Sequence, residues 1–132
     1  MARLITHGDG SWLRLPGRAA REMIGAASGA RAVTVREVAI APHDGSAPPR
    51  GPHRHDDFEE CIYVLEGEGV TETEAGSYPV AAGDCLLVPA GELHATRNTG
   101  TGTLRLLCFF PVADIRAGTR EFSSWDEARA AS

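Results

Sequence analysis

The chain has 132 residues and a formal net charge of −5, from thirteen basic and eighteen acidic residues. This length suits one domain, and the basic residues are scattered singly, which excludes the dense positive surface typical of nucleic-acid binding. All thirteen basic residues are arginine, so catalysis through a lysine Schiff base is excluded as well. We therefore expect a single domain, residues 1–132, without a nucleic-acid partner.

Cysteine usage and hydropathy favour a cytoplasmic location. No apolar run approaches the roughly 20 residues of a membrane helix, and residues 1–11 lack the apolar centre of a signal peptide. Cys61, Cys85 and Cys108 are odd in number and widely spaced, which indicates reduced thiols that pack as small buried apolar side chains. The sequence predicts no membrane partner.

The first forty residues contain short apolar fragments and one firmer strand. Residues 12–15 and 22–24 suit edge strands. From residue 31, apolar side chains alternate and then continue one position out of phase, which predicts a strand with a bulge near Glu37. Prolines and glycines predict a loop over residues 41–52.

Short apolar segments separated by glycine or proline follow to residue 110. Because no helical period lies between them, they predict an antiparallel sandwich or barrel. A capping box from Ser124 to Glu127 predicts a short helix at the C-terminal end. The predicted strands are residues 60–65, 70–74, 78–80, 85–88, 94–98 and 104–110.

Three histidines and one glutamate have spacings suited to a metal site. His53 and His55 point to the same side of a strand, because side chains alternate, and Glu60 opens the next strand. His94 follows a proline-glycine turn, which we expect to be type I over residues 88–91. Three imidazoles and one carboxylate suit Fe²⁺, Mn²⁺, Ni²⁺, Co²⁺, Cu²⁺ or Zn²⁺. We therefore predict one divalent transition metal as the cofactor.

These residues resemble the two metal-binding motifs of the cupins. The first, about residues 45–67, looks like His-x-His, three or four residues, Glu, six residues and Gly; the second, about residues 83–98, looks like Gly, five residues, Pro-x-Gly, two residues, His, three residues and Asn. Ala47 stands where the family has a glycine before the first histidine. The matching residues are His53, His55, Glu60, Gly67, Gly83, Pro89, Gly91, His94 and Asn98.

The resemblance implies an all-β double-stranded β-helix, the jelly-roll or cupin barrel, with the predicted short C-terminal helix added. It also favours Glu60 over Glu59 as the carboxylate ligand, since six residues then separate it from Gly67. Strand alternation from Glu60 turns Ile62 and Val64 inward. Three neighbours on the same strand then face outward, namely Cys61, Tyr63 and Leu65.

The remaining expectations concern the pocket and the outer surface. The inward strand residues predict an apolar pocket for a small organic molecule, beside which Phe58 and Phe109 or Phe110 pack as core or against a substrate ring. His94, Thr96 and Asn98 should share a face. His7 and His43 are expected to lie outside the site. The outward apolar face predicts a homodimer.

The resemblance leaves three functions open. The leading hypothesis is a non-heme metal dioxygenase, in which Glu60 acts as the catalytic base that takes a proton from a substrate hydroxyl. The first alternative is a non-redox cyclase, isomerase or lyase of secondary metabolism, similar to the polyketide cyclases among small cupins. The second alternative is a module that binds a small metabolite without turnover.

Overall fold

The computed structural model describes residues 1–45 and 50–131, which form eleven strands and one short α-helix. The all-β prediction is confirmed. The predicted short helix is confirmed as well, and the Ser124 hydroxyl caps it by accepting a hydrogen bond from the Glu127 backbone N–H at 3.1 Å. The elements are β1 (Leu13–Leu15), β2 (Arg18–Ile24), β3 (Thr34–Ile40), β4 (His53–His55), β5 (Glu60–Glu66), β6 (Glu68–Thr73), β7 (Ser77–Ala81), β8 (Cys85–Val88), β9 (His94–Asn98), β10 (Leu104–Phe110), β11 (Thr119–Glu121) and α1 (Trp125–Ala130).

The strands form two antiparallel sheets. One has the order β1-β2-β3-β10-β5-β8 and the other the order β11-β4-β9-β6-β7. From β4 onward the chain passes repeatedly from one sheet to the other, which is the double-stranded β-helix that the sequence predicts. Apolar side chains from both sheets meet between them.

The long strand β10 shows how alternation fills this core. Leu104, Leu106, Cys108 and Phe110 are buried, whereas Phe109 is 38 % exposed on the opposite face. The sequence left open which phenylalanine faces inward, because β10 is apolar on both sides. The structure assigns Phe110 to the interior.

The predicted bulge near Glu37 is wrong. Residues 34–40 of β3 pair with β10 without a shift, and the irregularity lies in β2 between Glu22 and Ile24. The out-of-phase pattern has another cause: Glu37 faces outward yet is buried, because it forms ion pairs with Arg21 at 2.9 Å and Arg105 at 3.0 Å. Both faces of β3 are therefore covered.

Two smaller expectations also need correction. The segment 22–24, by contrast, belongs to the part of β2 that pairs with β3 on one side only, since β1 pairs only with residues 18–20. The turn before His94 runs from Pro89 to Glu92, whose backbone groups are hydrogen-bonded at 3.3 Å. Gly91 has φ +82° at its third position, so the turn follows the type II pattern and not the predicted type I.

All three cysteines carry free thiols, but only Cys108 is buried. Cys61 is half-buried and Cys85 is exposed, which contradicts the expectation that all three pack in the interior. Cys61 and Cys85 lie on β5 and β8 with their side chains on the outside of the six-stranded sheet. Alternation, and not apolar neighbours in sequence, decides their burial.

We call the outside of β10, β5 and β8 the outer apolar face. Its exposed members are Tyr63, Leu65, Leu87 and Phe109, of which Leu87 is the most exposed at 57 %. The predicted outward orientation of Tyr63 and Leu65 is thus confirmed. In the residues that the structure describes, no helix is long and apolar enough to cross a membrane. The cytoplasmic location stays a prediction.

Candidate metal centre

The structure brings His53, His55, Glu60 and His94 together at one end of the space between the sheets. Two of the histidines are on β4, Glu60 opens β5, and His94 opens β9, where it pairs in register with His53. One possible ligand atom from each residue lies within 4.8 Å of the others. Their assignment as metal ligands stays a prediction.

Glu60 is the carboxylate that turns toward the histidines. Its Oε1 lies 3.2 Å from Nε2 of His55 and 3.0 Å from Nε2 of His94, whereas Glu59 is exposed to solvent. Adjacent ligands at right angles around one metal, each about 2.1 Å from it, would be about 3 Å apart. The spacing around Glu60 therefore suits neighbouring ligands of one ion.

Hydrogen bonds on the far side of two rings fix their tautomers. Nδ1 of His94 lies 3.0 Å from the Glu92 carbonyl oxygen, which can only accept, so this nitrogen is the protonated one. Nδ1 of His55 lies 2.8 Å from the Thr119 hydroxyl oxygen. That hydroxyl donates its own proton to the carbonyl oxygen of Ile115, so it accepts the proton of His55.

These tautomers make the centre suitable for a cation. In the neutral rings of His55 and His94, Nε2 carries a lone pair that faces the carboxylate oxygen of Glu60. Three electron pairs directed at one place repel one another unless a positive charge lies between them. The donor set thus fits a divalent metal ion, and Fe, Ni, Mn, Zn, Co and Cu remain open.

His53 completes the set with a ring that is neutral at physiological pH. Burial above all, together with the positive charge of Arg50, holds the pKa of His53 well below its usual range. Its Nδ1 is buried and lacks a hydrogen-bond partner among residues 1–45 and 50–131.

Thr119 is a positioning residue that sequence reasoning missed, and its role can be tested. We expect Thr119→Val to weaken metal binding about 10- to 100-fold, because His55 loses the group that fixes its tautomer. Metal affinity is measured by competition with a chromophoric chelator. Thr119→Ser should restore binding, and Thr101→Val, at an exposed site, is the matched control. Unchanged affinity in Thr119→Val would contradict the assignment.

A small cavity of about 70 Å³ adjoins the four residues, and a wider one of about 1090 Å³ lies next to it. Ile62 and Phe110 are among the apolar walls of the small cavity, as their inward orientation predicts. The two cavities share four wall residues, which are Arg18, Ile40, Arg50 and Thr96.

Two aromatic side chains support the centre through His55. The ring of Phe58 stacks on it at 5.0 Å between centroids, and Phe110 meets it edge-on at 5.1 Å. Both are buried, so Phe58 serves as core and Phe110 as core and cavity wall. His43 lines the wider cavity, and His7 belongs to neither wall.

Cys108 and three arginines also face the small cavity, and the sequence did not identify them as site residues. Burial and the neighbouring Glu60 carboxylate raise the pKa of Cys108, which keeps it a neutral thiol. The arginines are Arg18, Arg36 and Arg50, from β2, β3 and the approach to β4. Regular alternation along β3 was the signal that could have revealed Arg36.

Comparison with known proteins agrees with the motifs. A family model described as "Cupin domain" matches residues 36–110. The oxalate-binding protein of Thermotoga maritima is 39% identical over 57 residues, which cover 43% of this chain and 47% of that protein. The chain spans less than half the length of the curated relatives it matches, since the second match covers 45% of an uncharacterized protein of Methanocaldococcus jannaschii.

Solved structures extend the similarity across the whole fold. The polyketide cyclase RemF from Streptomyces resistomycificus is 27% identical with a TM-score of 0.73, covering 99% of this chain and 93% of that one. Pac13, a nucleoside dehydratase, has a TM-score of 0.74 at 16% identity, with 97% of each chain covered, and supports the fold alone. By the match to its family model, the chain belongs to the cupins.

Proposed function

We propose that the protein is a divalent-metal-dependent enzyme that promotes a non-redox step, such as ring closure or dehydration, on a bulky organic substrate. The observation that carries this proposal is the convergence of the Nε2 lone pairs of His55 and His94 on the Glu60 carboxylate. A site built in this way holds a cation, and a metal ion beside a cavity can polarise a substrate carbonyl.

The cavities support a bulky substrate. The wider cavity, at about 1090 Å³, reaches the upper end of the range for organic ligands, and its walls meet those of the small cavity beside the histidines. A substrate can therefore present one reacting group to the centre while its body occupies the wider space. Similarity to a polyketide cyclase over 99% of the chain supports cyclisation over the dioxygenase hypothesis.

The chain's own residues supply the remaining chemistry. The close contacts of Glu60 with His55 and His94 both use Oε1, so we assign Oε2 the role of accepting a proton from the substrate. Ile62, Phe110 and Leu106 line the cavity with apolar surface, which excludes water from the reacting group. The Cys108 thiol stays protonated and adds no negative charge.

The test compares turnover by protein loaded with different metals, in the presence and in the absence of O₂. Protein loaded with Zn²⁺ should convert an aromatic polyketide precursor, such as a linear poly-β-ketone thioester, under strict anaerobiosis without loss of rate, because Zn²⁺ has no redox chemistry. Product mass and oxygen uptake are measured. Turnover that requires O₂ and a redox-active metal would replace the proposal by the dioxygenase alternative. Binding of the precursor without any turnover would contradict the proposal and favour the alternative of a module that binds a small metabolite.

The homodimer also remains a prediction, now with a defined surface. Leu87 lies on β8, an edge strand of the six-stranded sheet, so a second copy could cover the outer apolar face there. Leu87→Glu should weaken dimerisation at least about tenfold, as followed by sedimentation velocity. Leu13→Glu, at an exposed site on the opposite edge strand, should leave it unchanged. A monomeric wild-type protein would contradict the prediction.

A further inference from the structure

The walls of the small cavity carry an excess of positive charge. Apart from the four candidate ligands, its charged residues in the described part of the chain are Arg18, Arg36, Arg50 and Glu121. Three guanidinium groups thus face one carboxylate, in a protein whose overall charge is −5. Since like charges repel, this grouping is costly unless a further anion enters it.

Glu121 balances two of the three arginines. Its Oε1 lies 3.1 Å from Arg18 and 2.8 Å from Arg50. Arg36 makes none of the ion pairs found in residues 1–45 and 50–131, and its Nε is buried without a hydrogen-bond partner. A buried guanidinium nitrogen without an acceptor is destabilising, so the position favours an acceptor supplied from outside the chain.

The arginines act on one another as well. Burial, with the charges of Arg50 and Arg36, lowers the pKa of Arg18 to about 10 despite its pairing with Glu121. The three positive charges therefore act on one another across the wall of the small cavity, which the histidines also line.

From this arrangement we propose that the substrate carries a carboxylate, which Arg36 binds beside the metal centre with Arg18 and Arg50 at the shared wall. A guanidinium group matches a carboxylate through two parallel hydrogen bonds, and the arginines approach from β2, β3 and the segment before β4. The inference rests on the proposed function in taking the small cavity as the place of the reacting group. It adds that this group belongs to an organic acid.

The test measures binding and needs no turnover. Zn²⁺-loaded protein is titrated by calorimetry with 2-naphthoate and with 2-naphthamide, which have the same ring but differ in charge. We expect 2-naphthoate to bind at least about tenfold more tightly. Arg36→Gln should remove this preference, Arg36→Lys should restore part of it, and Arg116→Gln, at an arginine with an 88 % exposed side chain, should keep it.

The outcomes separate the two proposals. If Arg36→Gln folds, holds Zn²⁺ and still prefers 2-naphthoate, the carboxylate binds the metal or another group, and the assignment to Arg36 is overturned. Equal binding of acid and amide by the wild type overturns it too. If the preference depends on Arg36 but the polyketide assay shows no turnover, the carboxylate site stands and only the proposed reaction fails.

Discussion

His94→Ala is expected to abolish metal binding and activity together. Nε2 of His94 lies 3.0 Å from Glu60 and its ring is 4.1 Å from that of His53, so its removal takes one ligand from the centre of the set. Loss of a direct ligand should weaken binding by more than the 10- to 100-fold typical of outer-shell changes. Metal per chain is measured by elemental analysis after gel filtration.

The same loss is expected for His53→Ala and His55→Ala. His7→Ala is the matched control, because this histidine is exposed and lines neither cavity. Thermal unfolding of each variant with and without Zn²⁺ distinguishes loss of the site from loss of the fold. Stoichiometric metal in any folded ligand variant would show that the centre is misassigned.

Gly51→Ala is expected to give a large loss of stability. A β-carbon on Gly51 would lie 2.0 Å from the Phe122 carbonyl oxygen and 2.6 Å from the carbonyl carbon of Ser123. Both are backbone atoms, so the segment after β11 must move, and overpacking of this kind costs about 1–3 kcal/mol or more. The free energy of unfolding is measured by urea denaturation.

Gly102→Ala provides the comparison, since nothing lies within 4 Å of its added β-carbon. Its expected effect is within about 0.5 kcal/mol. The two variants make the same chemical change at positions that differ in available space. If Gly51→Ala is as stable as Gly102→Ala, the prediction is wrong, and the backbone around Phe122 can move at little cost in free energy.

The grouping of the four candidate ligands could be predicted because it depends on short-range rules. His53 and His55 share a face through strand alternation, and Glu60 follows after one short bend. Only His94 needed long-range information, and the motif spacing supplied it. The choice of Glu60 over Glu59 agrees with burial, since one is buried and the other exposed.

Arg36 was missed because of one wrong inference about β3. A bulge near Glu37 would place Arg36 on the outside, whereas the regular pairing of β3 with β10 puts it on the cavity side with Val38 and Ile40. Hydropathy alone could not reveal this, because the ion pairs of Glu37 bury the outer side of the strand. A strand that is covered on both faces shows the same pattern of apolar residues as a strand in which a bulge shifts the alternation by one position.

Thr119 lies 64 residues beyond His55, and Glu121 lies 71 residues beyond Arg50, and no local pattern marks either residue. Their place follows from the pairing of β11 with β4, in which Thr119 is opposite His55. The tertiary structure decides which strand a three-residue strand pairs with, and its own sequence does not predict that partner. The sequence of a single chain therefore predicts the candidate ligands more successfully than it predicts the groups that orient those ligands.

The pairing of β4 with β11 also bears on when the metal centre forms during synthesis. All three residues of β4 pair with β11, whereas β4 is matched to β9 only at His53 and His94. A nascent chain that ends before residue 119 carries the four candidate ligands but not the strand that aligns two of them. Metal uptake should therefore follow emergence of residue 121 from the ribosome, because β11 must be present to pair with β4.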